Sequence, residues 1–281
     1  MRPAGAPVML NGMPYRETPP HPALRGLVRT YWSVEEQHTP HTQDHHFMPE
    51  RTVRLTFYSG DAHVGTPGAD DLTRLPPTYV LGLHRTPLRV VSVGFMRALG
   101  VELYPWGAQQ LLGWTDGDDP TLAPARDPTL TRLGAQVRAL LTLGAWEDAR
   151  GHVETWLLAR ARTNARAPGI GVQAATHLYA SLGAARITDL ADTANVSVRH
   201  LERQFRAEVG VTPKVLARLI RFEEAHNRLW QQPDVPLAAL AVDLGFADQA
   251  HFTREFRAFA HATPARLAQH LRHLSTFHVH M

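Results

Sequence analysis

Two stretches near the end of the chain carry the side chains with the most legible chemistry. HLERQFRAEVGVTP (200–213) and HFTREFRAFAHATP (251–264) agree at seven of fourteen positions when offset by 51 residues. Around the first copy, Arg199, Arg203 and Arg206 recur at spacings of four and three, with Glu202 between them. Around the second, Gln249, Thr253, Arg254 and Arg257 share the outer side, with His251 at its edge. Arginine presents a planar fork of donors that matches guanine O6/N7 and phosphate oxygens, and glutamine matches the edge of adenine. One such face is ordinarily a solvated surface. Two matching faces in one chain point to nucleic acid.

A second cluster is made of histidines. HTPHTQDHH (38–46) holds His38, His41, His45 and His46, with Glu50 shortly after. Imidazoles and a carboxylate can hold zinc, copper, nickel or iron. No HExxH spacing accompanies them, and the chain has 17 histidines in all, so a solvated loop is the expectation. No metal or other cofactor is expected. The alternative is a metal-dependent enzyme or metal sensor fused to a DNA-binding domain. Cysteine is absent, which removes disulfides, thiolate metal sites and cysteine nucleophiles. No catalytic set emerges, and the chain is not expected to be an enzyme.

Composition sets looser bounds. The 281 residues suffice for two ordinary domains, and Lys+Arg exceeds Asp+Glu by 29 to 26. Only Lys214 is a lysine, an arginine bias that suits planar recognition. No apolar run reaches the ~18 residues of a membrane span. The opening MRPAGAPVMLNGMPYRETPP is broken by prolines and does not read as a secretory signal, so a cytoplasmic chain is expected.

The elements that position these groups change character along the chain. LVRTYWSV (27–34), VRLTFYSG (53–60), TYVLGL (78–83), LRVVSVGF (88–95) and LGVELY (99–104) are β-branched or aromatic runs between Pro, Gly and Asp. They predict short strands in a barrel or sandwich. AQQLLG starts a short helix. LTRLGAQVRALL and WEDARGHVETWLLARART then show helical spacing, and NARAPGIG (164–171) reads as a linker. Helices are expected near 171–183, 187–194, 197–208, 213–231, 236–244, 248–260 and 264–272. The expected division is a β-rich effector-sensing domain at 1–128, a helical connector with dimer-forming stripes at 129–168, and an all-α domain at 169–281. The fold class is α+β in two domains.

Each repeat extends upstream as a short helix and a tight turn, the form of a helix-turn-helix unit. Ser197 and Asp248 stand where an N-cap is wanted. Val198, Leu201, Phe205 and Val209 form the inward stripe of the first copy; Phe252, Phe256 and Phe259 or Ala260 form that of the second. PKVLARLIRFEEAHNRLWQ (213–231) joins the two as one uninterrupted helix of about 28 Å. That approaches the ~34 Å between successive major-groove faces of DNA.

LADTANVSVRHLERQFRAEVGVTP, RLIRFEEAHNRL and LAVDLGFADQAHFTREFRAFAHATP together resemble the DNA-binding domain of the AraC/XylS family of bacterial transcription regulators. The resemblance implies two helix-turn-helix units joined by a long helix. By position, the family's base-reading residues fall on Arg199, Glu202 and Arg203, and on Gln249, Ala250, His251 and Arg254. Arg206 and Arg257 then contact the DNA backbone or support the fold. The family usually has a small polar residue where Ala250 stands, and glycine where His261 stands. YWSV, HHFMPERTVRLTF, LGLHRTPLRVV and LGVELYPWGAQQLLG resemble an N-terminal module found on AraC-type regulators, which implies a cupin-like β domain. Its family pattern has a Pro-Asp-Gly-like turn where this chain has Pro49-Glu50-Arg51. Tyr31, Trp32, His46, Phe47, Arg54, Phe57 and Trp106 are the candidate lining of an effector pocket there. Double-stranded DNA is the implied partner, with RNA polymerase, an unknown small-molecule effector and a second copy of the chain as further ones, and no membrane.

Overall fold

A computed structural model of the chain describes residues 8–10, 13–37, 43–68, 71–115, 123–124 and 127–277. The chain divides into two compact units. The first takes in Met1–Phe47, Thr52–His84 and Leu88–Ala167; the second takes in Pro168–Met281 with the short segments Met48–Arg51 and Arg85–Pro87.

The first unit is an antiparallel sheet with helices on it. Its strands are β1 (Val8–Leu10), β2 (Met13–Thr18), β3 (Val28–Gln37), β4 (Gln43–Phe47), β5 (Val53–Gly65), β6 (Thr73–Arg74), β7 (Thr78–Leu81), β8 (Leu88–Leu103) and β9 (Ala123–Pro124). The order is β1-β2-β3-β8-β5-β7-β9, with β4 also on β8 and β6 on β5. The two strands expected at 88–95 and 99–104 are one strand, β8. It runs beside β5 on one side, and beside β3 and then β4 on the other. Gly60 and Gly94 make this continuity possible. Between the pairs Ser59↔Arg97 and Asp61↔Val93, β5 has one residue where β8 has three. Gly60 and Gly94 take φ of +143° and +72° there, which side chains with a Cβ rarely adopt. A Cβ on Gly60 would also sit 2.9 Å from the Phe95 carbonyl oxygen. Such a bulge bends the ladder instead of ending it.

Period-two alternation then sorts the side chains onto two faces. Leu55, Phe57, Leu99 and Val101 go to the face covered by helices, where they are fully or almost fully buried. α1 (Pro105–Leu112), α2 (Pro128–Leu143) and α3 (Trp146–Thr163) supply that cover. Residues 129–168, expected as a connector, pack on the sheet through α2 and on α1 and α2 through α3. The closeness is specific: a Cβ on Gly134 of α2 would lie 2.2 Å from Thr78 Oγ1. Arg160 of α3 donates to the Leu111 carbonyl at 2.9 Å and pairs with Asp127 at 2.8 Å.

The other face holds a buried charge cluster. Glu102 lies between Arg29 and Arg54, with Arg54 Nη2 at 3.4 Å from its Oε1. Burial by itself would raise the Glu102 pKa, but the Arg29 and Arg54 guanidiniums overcome it and hold the carboxyl below its ordinary range.

The second unit is helical, as expected: α4 (Ile170–Ala180), α5 (Ile187–Thr193), α6 (Val198–Val209), α7 (Pro213–Gln231), α8 (Leu237–Asp243), α9 (Gln249–Ala260) and α10 (Pro264–Phe277). α4 lies against α6 and α7. The approach to α6 depends on Gly171, where a Cβ would stand 2.8 Å from the Phe205 Cα. α9 is held to α7 by rings: Phe222 of α7 is 5.1 Å from both Phe256 and Phe259. Arg218 of α7 adds an ion pair to Glu255 at 2.6 Å and lies 5.0 Å over the Phe259 ring. No helix among the described residues is long and apolar enough to cross a membrane.

His226 sits between Phe222 and Trp230 along α7, each ring 6.2 Å away. Burial pushes its pKa from 6.5 down to about 4. Between those values the unfolded chain binds a proton that the folded chain refuses. Folding stability is therefore complete above pH 6.5 and falls as the pH drops towards 4, by at most about 1.4 kcal/mol per pH unit for one proton. Urea unfolding at pH 4.5 and 7 should show this loss in the parent and a smaller one in His226→Leu. At Glu102, replacement by alanine breaks a buried pair and should cost about 3–5 kcal/mol in the same measurement at pH 7.

Candidate nucleic-acid interface

Each of the two repeated helices is aimed by a cap at its start and a phenylalanine in its middle. At α6, Ser197 Oγ accepts from the His200 N–H at 3.2 Å. At α9, Asp248 Oδ1 accepts from the His251 N–H at 2.6 Å. These side chains satisfy amides that the first turn of a helix leaves unpaired. The turns before them differ by one residue, 194–197 against 244–248, and each uses a left-handed residue, Asn195 (φ +53°) and Gly245 (φ +70°). Phe205 and Phe256, equivalent in the repeat, are buried to 0% and 1% exposure. Val198, expected on the inward stripe, is instead 38% exposed, while Leu201 three residues later is fully buried: the inward stripe begins one place into the helix.

With those rings inward, 3.6-residue periodicity puts the polar set outward. Arg199, Glu202, Arg203 and Arg206 are all exposed and share one open concavity with Ala207 and Thr212. Arg203 Nη2 lies 3.0 Å from His200 Nδ1, which orients the guanidinium along the helix surface. On α9, Gln249, Ala250, Arg254 and Arg257 are exposed. His251 and Thr253 are half-buried and turned to their own helix. The His251 ring accepts from the Ala247 N–H at 3.4 Å and stands edge-on to Phe246 at 5.4 Å. Thr253 Oγ1 donates to the Gln249 carbonyl at 2.8 Å. The second helix thus offers fewer free polar groups than its sequence suggests.

The β-rich unit contains a separate chamber. Trp32, Val34 and Glu36 of β3, and Arg54, Thr56 and Tyr58 of β5, alternate onto one face and line it. Ser92 and Ala98 of β8 lie on either side of the bulge and complete the floor. The Trp32 indole lies over Gly100, where a Cβ would come within 2.0 Å of the ring. Tyr15 stacks on that indole at 5.8 Å, and Arg54 lies 5.6 Å over it and 5.9 Å from the Phe47 ring.

Of the expected lining residues, Trp32, Phe47 and Arg54 are at this chamber. Tyr31, Phe57 and Trp106 are not. Alternation turns Tyr31 and Phe57 to the helix-covered face, and Trp106 opens α1, donating its Nε1–H to the Gly26 carbonyl at 2.7 Å. Tyr15, Glu36 and Tyr58 were missed. Counting by twos from Trp32 and Arg54 finds Glu36 and Tyr58; Tyr15 depends on the pairing Tyr15↔Val34, which only the sheet reveals. His38 and His41 lie outside the described residues, as do the side chains of His45 and His46. Among the described residues no three His, Asp or Glu side chains group as a metal site.

Comparison with known proteins bears on both units. A family model described as a helix-turn-helix domain matches residues 190–270. Over 84 residues the chain is 33% identical to the probable transcription factor PqrA of Proteus vulgaris, spanning 30% of this chain and 68% of that protein. The chain belongs to the AraC/XylS family. The HTH-type transcriptional activator RhaS of Pectobacterium carotovorum is 39% identical over 74 residues, 26% of each chain, so the match spans about a quarter of that relative. A domain of unknown function (DUF6597) matches residues 16–117. ToxT from Vibrio cholerae superposes at a TM-score of 0.47 with 10% identity, over 85% of this chain and 97% of its own.

Within the AraC/XylS pattern the chain departs at two places in its second unit. Ala250 brings no hydrogen-bonding group to the first turn of α9. His261 takes the left-handed conformation (φ +54°) that Gly210 (φ +87°) takes after α6. Replacing either cap, Ser197→Ala or Asp248→Ala, should lower the stability of the chain by about 1 kcal/mol in urea unfolding.

Proposed function

We propose that this chain is a sequence-specific DNA-binding transcription regulator that reads two successive major grooves of double-stranded DNA. One observation carries the reading: two capped helices with outward arginines, α6 and α9, belong to two repeated units that the chain joins through the unbroken 19-residue α7. At 1.5 Å per residue α7 is about 28 Å long, close to the ~34 Å repeat of the major groove. Arg199, Glu202 and Arg203 read bases from α6; Gln249 and Arg254 do so from α9, with Ala250 and the partly turned-away His251 and Thr253 at the edge. Arg206 and Arg257, each in the last turn of its helix, contact phosphates. The two reading sets differ, so each copy of the chain takes an asymmetric site. The β-rich unit, with α2 and α3, controls this activity through a small effector or through pairing of two copies. RNA polymerase is the further partner such a regulator acts on.

The test begins with genomic fragments selected for binding, which supply an operator. On that operator Arg203→Ala and Arg254→Ala should each cost about 1–3 kcal/mol, roughly 5- to 150-fold in affinity. Arg206→Ala and Arg257→Ala should instead reduce the slope of log affinity against log salt by about one each. If Arg203→Ala and Arg254→Ala both bind as tightly as the parent, the assignment fails.

A further inference from the structure

The chamber of the β-rich unit constrains the chemistry of what it holds. It encloses about 70 Å³, room for a molecule of a few heavy atoms. Two of its walls are polar groups with their bonding unfinished. Trp32 and Tyr58 are 7% and 5% exposed, and neither the indole Nε1 nor the phenol oxygen has a hydrogen-bond partner. An indole nitrogen can only donate. Beside Tyr58, the Ala62 N–H points at the phenol oxygen, and as a donor it offers nothing to the hydroxyl proton. Burial first, then the Asp61 carboxylate, raises the Tyr58 pKa, so that proton stays in place. Buried donors lacking acceptors are unfavourable, and an entering acceptor relieves them.

Charge narrows the choice further. The Glu36 carboxylate and the Arg54 guanidinium both line the chamber, at 6% and 7% residue exposure. An anion entering would share this low-dielectric space with Glu36, and a cation would share it with Arg54. Arg54 already has the Glu102 carboxylate at 3.4 Å and two aromatic rings beside it. The rest of the lining, Val34, Ala62, Leu75, Val90 and Met96 among it, is apolar.

Resting on the reading of this unit as the controlling one, we propose that the chamber takes a small uncharged carbonyl compound, a ketone or aldehyde. Its oxygen accepts from Trp32 Nε1–H and Tyr58 O–H, and its apolar body lies against the surrounding side chains. A carbonyl oxygen has two lone pairs and so can serve both donors.

The test uses the full chain labelled with ¹⁵N and cyclopentanone as probe. Trp32→Phe identifies the Trp32 indole N–H resonance by its loss. Addition of cyclopentanone should move that resonance saturably, while butyrate and butylamine at the same concentrations should bind at least tenfold more weakly. Tyr58→Phe keeps the ring and the apolar packing, and should weaken cyclopentanone about fivefold or more. A shift that does not saturate, equal binding of butyrate or butylamine, or an unchanged affinity in Tyr58→Phe would each overturn the proposal. Operator affinity with saturating cyclopentanone reads the control function separately. If the Trp32 resonance saturates while operator affinity stays constant, the ligand site stands and effector control through it falls.

Discussion

In each of the two repeated helices, α6 and α9, one buried phenylalanine decides where the arginines go. Phe205 and Phe256 occupy the same place in the repeat, and both are sealed in the core. A helix has only one rotational setting that buries such a ring, and with 3.6 residues per turn that setting fixes every other side chain around the axis. Arg199, Arg203 and Arg206 on α6, and Arg254 and Arg257 on α9, are outward for this reason. Burying a phenylalanine side chain is worth about 1.5–3 kcal/mol, more than any exposed arginine contributes by its own contacts. Packing therefore governs orientation, and the outer positions are left for recognition.

Because the core positions are shared, the two helices can diverge outside without losing their setting. Helix α6 keeps four exposed polar groups. In α9 the His251 ring and the Thr253 hydroxyl are spent on the local turn and backbone, and Ala250 has none to offer. The Asp248 cap and the Phe222–Phe256–Phe259 cluster hold α9 firmly all the same.

The β-rich unit separates its two tasks by face. One face of β3, β5 and β8 buries aliphatic and aromatic side chains against α1, α2 and α3. The other carries Trp32, Arg54 and Tyr58 around the chamber, with Glu102 compensating Arg54. The bulge at Gly60 and Gly94 lets long strands curve around that space. Arg54 is tolerated in such a place because Glu102 on the neighbouring strand β8 matches its charge.

Local information was enough for the helical unit. Caps, turn residues and apolar spacing act within a few residues of one another, so Ser197, Asp248 and the span of α7 could be read directly from the order of amino acids. The repeat added a second, independent copy of each signal. The β-rich unit resisted the same reading for a physical reason: strand partners are distant in sequence, and the face a residue occupies depends on register. Hence β8 looked like two strands, residues 129–168 looked like a connector, and Tyr31 and Phe57 looked as suited to a pocket as Trp32 and Arg54. The amino-acid order alone determined which helices of the second unit form and which side of α6 and α9 carries the arginines, though not the outward setting of Val198 or the half-burial of His251 and Thr253. Only the tertiary structure decided which side of the sheet holds a chamber, because cross-strand register and the bulge at Gly60 and Gly94 bring Tyr15, Trp32, Glu36, Arg54 and Tyr58 together.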